Sequence, residues 1–158
     1  MNLIEGIVFS SKSDLYQKLV INERKLRRIG FFSGMSRDPG LMEVYAQMKD
    51  KNDLQYVKDE IMSALNGIKT NPVDKKMLSE VVSNRKYGFI MRTDNPSAIA
   101  NTLSSFISLS GNPESVNNYY SLFDKVTPED IIRVANKYFN ETSLTIGTIT
   151  ADETCVIK

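Results

Sequence analysis

The sequence predicts an α+β domain in which a run of helices covers one face of a small antiparallel sheet. Three observations carry this. Two runs alternate apolar and polar residues on either side of a turn sequence, four Asn-Pro or Thr-Pro pairs punctuate the chain as helix starts, and apolar residues step by three and four through the region after residue 50.

In chain order, Met1 to Phe9 reads as a helix, and Ser13 is placed to cap a second one carrying Leu15, Leu19 and Val20. Ile29, Phe31, Ser33 and Met35 then alternate with Arg28, Gly30, Phe32 and Gly34. Met42, Val44, Ala46 and Met48 alternate with Glu43, Tyr45, Gln47 and Lys49. Between the runs lies Ser36-Arg37-Asp38-Pro39-Gly40, whose Asp-Pro-Gly favours a tight turn, so residues 25–49 are expected to form a β-hairpin.

Leu54, Val57, Ile61, Leu65 and Ile68 put one apolar stripe on a helix over 53–69; Leu78, Val81, Val82 and Phe89 mark the next, over 73–91. Ile99, Leu103, Phe106 and Ile107 mark a third, stopped by Gly111, and a short helix follows over 114–123. The last helix, 128–139, carries Ile131, Ala135, Tyr138 and Phe139 on one face. Asn71-Pro72, Asn95-Pro96, Asn112-Pro113 and Thr127-Pro128 each read as an N-cap followed by proline at the first helical position, and Asp130 can complete a capping box with Thr127. Leu144 to Ile149 is expected to add a C-terminal strand, and 151–158 a flexible tail. Residues 1–150 therefore read as one domain, without repeat or linker.

Composition narrows the function. The 158 residues hold 41% hydrophobic and 25% charged residues, ordinary for a globular chain, and a net charge of +1 gives no field that calls for nucleic acid or an acidic membrane. No run approaches the roughly 20 apolar residues of a membrane helix. Met1–Phe9 lacks the basic start and small-residue cleavage site of a signal peptide, so an export signal would lie outside this chain; the compartment stays open. Cys155 is the single cysteine and excludes an internal disulfide framework.

The chain contains no histidine. That removes the serine–histidine triad and every histidine-ligated zinc centre from its own repertoire. It also lacks a Cys-x-x-Cys pair, a phosphate-cradling lysine loop and a Gly-x-Ser-x-Gly elbow. Its 19 acids are scattered over helix starts and polar faces, where Glu129 and Asp130 suit the first turn of a helix. The basic cluster Arg24, Lys25, Arg27 and Arg28 around Glu23 reads as a solvated face; arginines at a sheet edge could also hold a peptide carboxylate. Cys155 has only Lys158 nearby to lower its pKa and reads as unreactive.

Several stretches, in this order and spacing, resemble the C-terminal domain of the insulinase/pitrilysin family of zinc metallopeptidases, which includes the mitochondrial processing peptidases. They are Ser13-Asp14-Leu15-Tyr16-Gln17-Lys18-Leu19-Val20, the turn at 36–40, Lys69-Thr70-Asn71-Pro72-Val73-Asp74, Asp94-Asn95-Pro96, and residues 126–139 beginning Val126-Thr127-Pro128-Glu129-Asp130. The resemblance covers roughly residues 1–150. It implies zinc in the intact protein, bound by a His-x-x-Glu-His helix of a preceding domain, and a non-catalytic role here as one wall of a peptide-binding chamber. The implied partners are that zinc-binding domain or subunit and a peptide substrate.

Two positions depart from the pattern. Where many members carry an arginine and, seven residues later, a tyrosine that contact substrate, this chain has Val20 and Arg27, so no substrate-binding residue is transferred. The family domain also begins with a strand, which would lie before Met1; the chain is expected to be a piece of a longer protein or an abbreviated product, and its open sheet edge to favour a homodimer. The rival readings are a catalytically inactive structural subunit of a protease-like complex and a stand-alone binding module.

Overall fold

A computed structural model describes residues 1–38 and 40–150. Among the described residues, seven α-helices and one antiparallel pair of strands make up an α+β fold. Helix α1 (Asn2–Val8) leads into α2 (Asp14–Tyr16), which runs on as a π-helical stretch over Gln17–Asn22. The hairpin strands are β1 (Leu26–Ser33) and β2 (Met42–Met48). Five helices follow: α3 (Leu54–Thr70), α4 (Lys75–Arg92), α5 (Pro96–Ser110), α6 (Ser115–Phe123) and α7 (Pro128–Tyr138).

Helix α1 lies in the middle of the core. Leu3, Ile4, Ile7 and Val8 are all buried, so this short helix is apolar on more than one side and must be covered on more than one side. Its neighbours are β1, α2 and α4. The contact with α4 is close because Gly6 has no side chain: a Cβ there would stand 2.5 Å from Cγ1 of Val81. Polar bonds fix the same helix. Arg85 of α4 donates to Glu5 at 2.6 Å and to the carbonyl of Asn2 at 3.0 Å.

The hairpin forms where the alternation places it. Phe31 pairs with Val44 and Ile29 with Ala46, so the apolar residues of both strands share one face. That face meets Phe9, stacked on Phe31 at 5.5 Å, and Phe139 of the segment after α7, edge-on to Phe31 at 6.5 Å. The other face carries Arg28, Phe32, Glu43 and Tyr45 in solvent. A register shift between Leu26 and Arg28 leaves Arg27 as the extra residue, which is why Leu26 and Ile29, three apart, are both buried. The expected turn includes Pro39, which lies outside the described residues.

Helix starts follow the sequence in two of the four expected places. Asn95 caps α5 through a bond from the amide of Ala98, and Thr127 and Asp130 form a reciprocal capping box on α7. Gly111, at φ +72°, ends α5 in the left-handed conformation that favours glycine. The other two starts are corrected. Asn71 ends α3, its amide bonded to Gly67, and Asp74 caps α4 instead, because its carboxylate accepts from the amides of both Lys76 and Met77. Asn112 turns the chain by accepting from the amide of Glu114, and α6 begins at Ser115.

Two further corrections concern regular structure. The helix capped by Ser13 loosens into π geometry, with the amide of Glu23 reaching the carbonyl of Lys18. Arg24 then takes a left-handed φ of 56°, which turns the chain out of the helix towards β1. Leu144–Ile149 is not a strand here. Leu144 is extended, but none of these residues pairs with β1 or β2, and a strand exists only as a member of a ladder. The expected tail at 151–158, with Cys155, lies outside the described residues.

The close approach at Gly6 gives a test. Glycine to alanine inside a helix ordinarily gains up to about 1 kcal/mol. Gly6→Ala should instead lose about 1–3 kcal/mol by overpacking against Val81, and adding Val81→Ala should recover part of the loss in urea denaturation. A second test lies in α7. Thr127→Ala should cost about 1 kcal/mol and Ile131→Ala about 2–5 kcal/mol, Ile131 being 4% exposed; equal, small losses would show that α7 is not packed as described.

Candidate functional site

A half-open groove of roughly 800 Å³ lies beside α1. Four separate stretches of chain build it: the start of α1, the hairpin tip after β1, α6 with the loop behind it, and α7. Its floor is the margin of the core, formed by the buried Leu3, Ile4, Phe123 and Ile131. Met35, Leu41, Leu122 and Tyr138 stand on its rim and are exposed.

A hydrogen-bond chain ties these parts together. The Asn2 amide donates to the Tyr119 hydroxyl at 2.6 Å, and its oxygen accepts from the Ser33 hydroxyl at 3.4 Å. One asparagine thus links α1, α6 and the end of β1. Behind Tyr119 lies an aromatic cluster in which Tyr120 packs on Phe89 at 3.8 Å and edge-on to Tyr119 at 5.6 Å. Burial in this cluster pushes the Tyr120 phenol up to about 12; the neighbouring Tyr119 adds to the shift and Arg92 opposes it.

The charged rim is mixed. Arg37, Lys125 and Arg133 lie on it with Asp38 and Asp130. Arg133 donates to Asp130 at 2.9 Å and, with the Thr127 amide, holds that carboxyl below its usual range. Next to it Glu129 is also lowered, first by its own backbone amide and then by the Thr127 hydroxyl. Both shifts come from the helix start.

The residues singled out in the sequence do not meet in this groove. Val20 is half-buried against the core on the π-helical stretch, and Arg27 is exposed at the bulge of β1. The basic cluster disperses. Lys25 is bound to Asp53 at 2.5 Å, and the Arg28 guanidinium sits 5.6 Å over the Tyr45 ring. Lys18, paired with Glu60 at 2.7 Å, and Lys25 both approach the face of Tyr56, whose hydroxyl donates to Glu23. This surface pins the start of α3 to the π-helical stretch. Among the described residues no three His, Cys, Asp or Glu side chains converge as a metal site would need, and no helix is long and apolar enough to cross a membrane.

With fold and groove described, the relatives are informative. No family model matches the chain. A zinc protease of Helicobacter pylori (strain ATCC 700392 / 26695), PqqE, is 20% identical over 146 residues, 92% of this chain and 33% of its own. The crystal structure of a protease from Helicobacter pylori superposes with a TM-score of 0.74 at 20% identity, over 89% of this chain and 34% of that one. A candidate zinc protease from Bordetella pertussis Tohama I gives 0.72 at 21% identity, over 89% of this chain and 78% of that one. The chain has the fold of an insulinase/pitrilysin-like zinc-protease domain. The chain spans about a third of the length of the curated relative it matches.

The sequence resemblance had located the fold but not the groove. The sequence places a short helix over 114–123, but nothing in its pattern marks Tyr119 on that helix as part of a groove.

The Tyr120 environment predicts a pH effect. In the folded domain this phenol keeps its proton to about 12, whereas in the unfolded chain it ionises near ~10. Between those values the unfolded chain binds fewer protons, so stability should fall as pH rises through that window. Absorbance titration of the phenolates should show a late-ionising component that is lost in Tyr120→Phe, and the alkaline loss of stability should shrink in that variant.

Proposed function

We propose that this chain is the non-catalytic C-terminal-type domain of an insulinase/pitrilysin-type zinc metallopeptidase. Residues 1–150 form one wall of the peptide-binding chamber, and the zinc-binding half is supplied outside this chain. One pairing carries the reading: the likeness to a zinc protease runs along 92% of the chain, yet the chain has no histidine. A domain of this kind that holds no zinc ligands contributes surface, not metal chemistry.

The groove supports it. Its apolar floor and mixed-charge rim suit an extended peptide, which presents side chains of several kinds in alternation. In the intact protein zinc would supply a metal-activated water for peptide hydrolysis; this chain's residues would bind and orient the peptide. The partners of this reading are the zinc-binding domain or subunit, the peptide, and a second copy of the chain.

Metal analysis after exhaustive dialysis should find no stoichiometric zinc on the isolated chain, and fluorogenic peptides should stay uncleaved. Mixing it with the zinc-binding half should restore cleavage, and Leu122→Glu on the groove rim should raise KM with little change in kcat. One tightly held zinc per isolated chain would overturn the reading, and a folded but inactive mixture would favour the inactive structural subunit.

A further inference from the structure

We infer that Arg28 and Tyr45, on the hairpin face turned away from the core, form a site that selects a carboxylate side chain in a bound peptide. The kind of ligand rests on the peptide-wall reading; the geometry does not. Arg28 and Gly30 of β1 lie opposite Gln47 and Tyr45 of β2. Tyr45 fills the space that Gly30 leaves: a Cβ at Gly30 would stand 2.5 Å from the tyrosine Oη and 2.9 Å from Cε1, so the ring lies across the β1 backbone. The Arg28 guanidinium sits 5.6 Å over that ring. Stacking of this kind holds the planar fork of an arginine in place, so less freedom is lost when the fork meets a carboxylate.

The fork has no acid of its own. Among the described residues no carboxylate pairs with Arg28 or with the exposed Arg27 beside it. The nearby acids are engaged elsewhere, Glu23 by the Tyr56 hydroxyl and Asp53 by Lys25. Glu43 belongs to the same face but lies at its other end, opposite Phe32. The face therefore runs from two unpaired arginines to one carboxylate, and an acidic side chain complements its basic end. Between the ends, Tyr45 and Phe32 are 48% and 60% exposed and offer apolar contact to neighbouring residues of the peptide. Alternation within the two strands fixes which side chains share this face, so a strand added at either edge of the sheet leaves it unchanged.

Two otherwise identical peptides, one with Leu-Glu-Leu and one with Leu-Gln-Leu at the centre, test this. Calorimetric titration measures their binding to the full chain, and KM and kcat measure their cleavage by its mixture with the zinc-binding half. The glutamate peptide should bind about three- to fivefold more tightly, lose that advantage at high salt, and show the lower KM at similar kcat. Arg28→Gln should erase the difference. Arg28→Lys should restore only part of it, because an ammonium has no planar fork. Lys76→Gln, which removes a charge from α4, should keep it. If the stack serves only to cover Gly30, Arg28→Gln will lower stability and leave the ratio of the two peptides unchanged, which overturns the inference. Equal binding of the two peptides to the unmodified chain overturns it too, as does tighter binding of a single-stranded oligonucleotide than of either peptide. A mixture that cleaves neither peptide counts against the protease reading alone, and the binding ratio on the full chain still decides this site.

Discussion

The structure depends on the burial of a seven-residue helix. A helix as short as α1 has no independent stability in water, so its geometry is imposed by what surrounds it. Leu3, Ile4, Ile7 and Val8 supply the apolar area that makes surrounding it favourable. Gly6 sets how near α4 comes, and Asn2 and Glu5 give the ends of the contact a direction through Tyr119, Ser33 and Arg85. The groove inherits this arrangement. Its floor contains the first turn of α1, and its two walls are held at their separation by the same asparagine.

The helices divide by how many faces they bury. Helix α7 is strongly amphipathic, with Ile131 and Ala135 buried and Glu129, Arg133 and Lys137 outside. Helix α4 is different. Leu78, Val81 and Phe89 face inward, yet Tyr87, Ile90 and Met91 stand on the opposite side at 55–65% exposure. Helix α5 carries no charged residue and buries none completely; it is held through contacts such as Phe106 on Tyr119 at 5.4 Å. This end of the molecule is therefore fastened by aromatic stacking instead of by a closed core.

What the sequence revealed follows from the range of the interactions involved. Helix interiors were legible because a stripe such as Leu54, Val57, Ile61, Leu65 and Ile68 is a local pattern. Caps were legible where one candidate stood alone, as at Thr127, and misassigned at Asn71, where Asp74 competes three residues later with a carboxylate that takes two amides. The hairpin register was legible because one face is buried. Leu144–Ile149 has as good a strand pattern as β2, but pattern specifies only which face would be apolar. It cannot supply the partner edge. The groove was out of reach for the same reason, since it is assembled from stretches more than a hundred residues apart.

The π-helical stretch and the bulge of β1 bring Val20 and Arg27, two positions singled out in the sequence, into one physical frame. Val20 lies on the widened helix and Arg27 is the residue the bulge leaves unpaired. Both backbone features alter where a side chain points, and both lie between Leu19 and Ile29, which are buried and fix the ends of the segment. Residue type at these two positions is thus only weakly constrained by the core: Val20 contributes its margin and Arg27 none of it. A position whose side chain the core does not need is free to be set by what the surface meets.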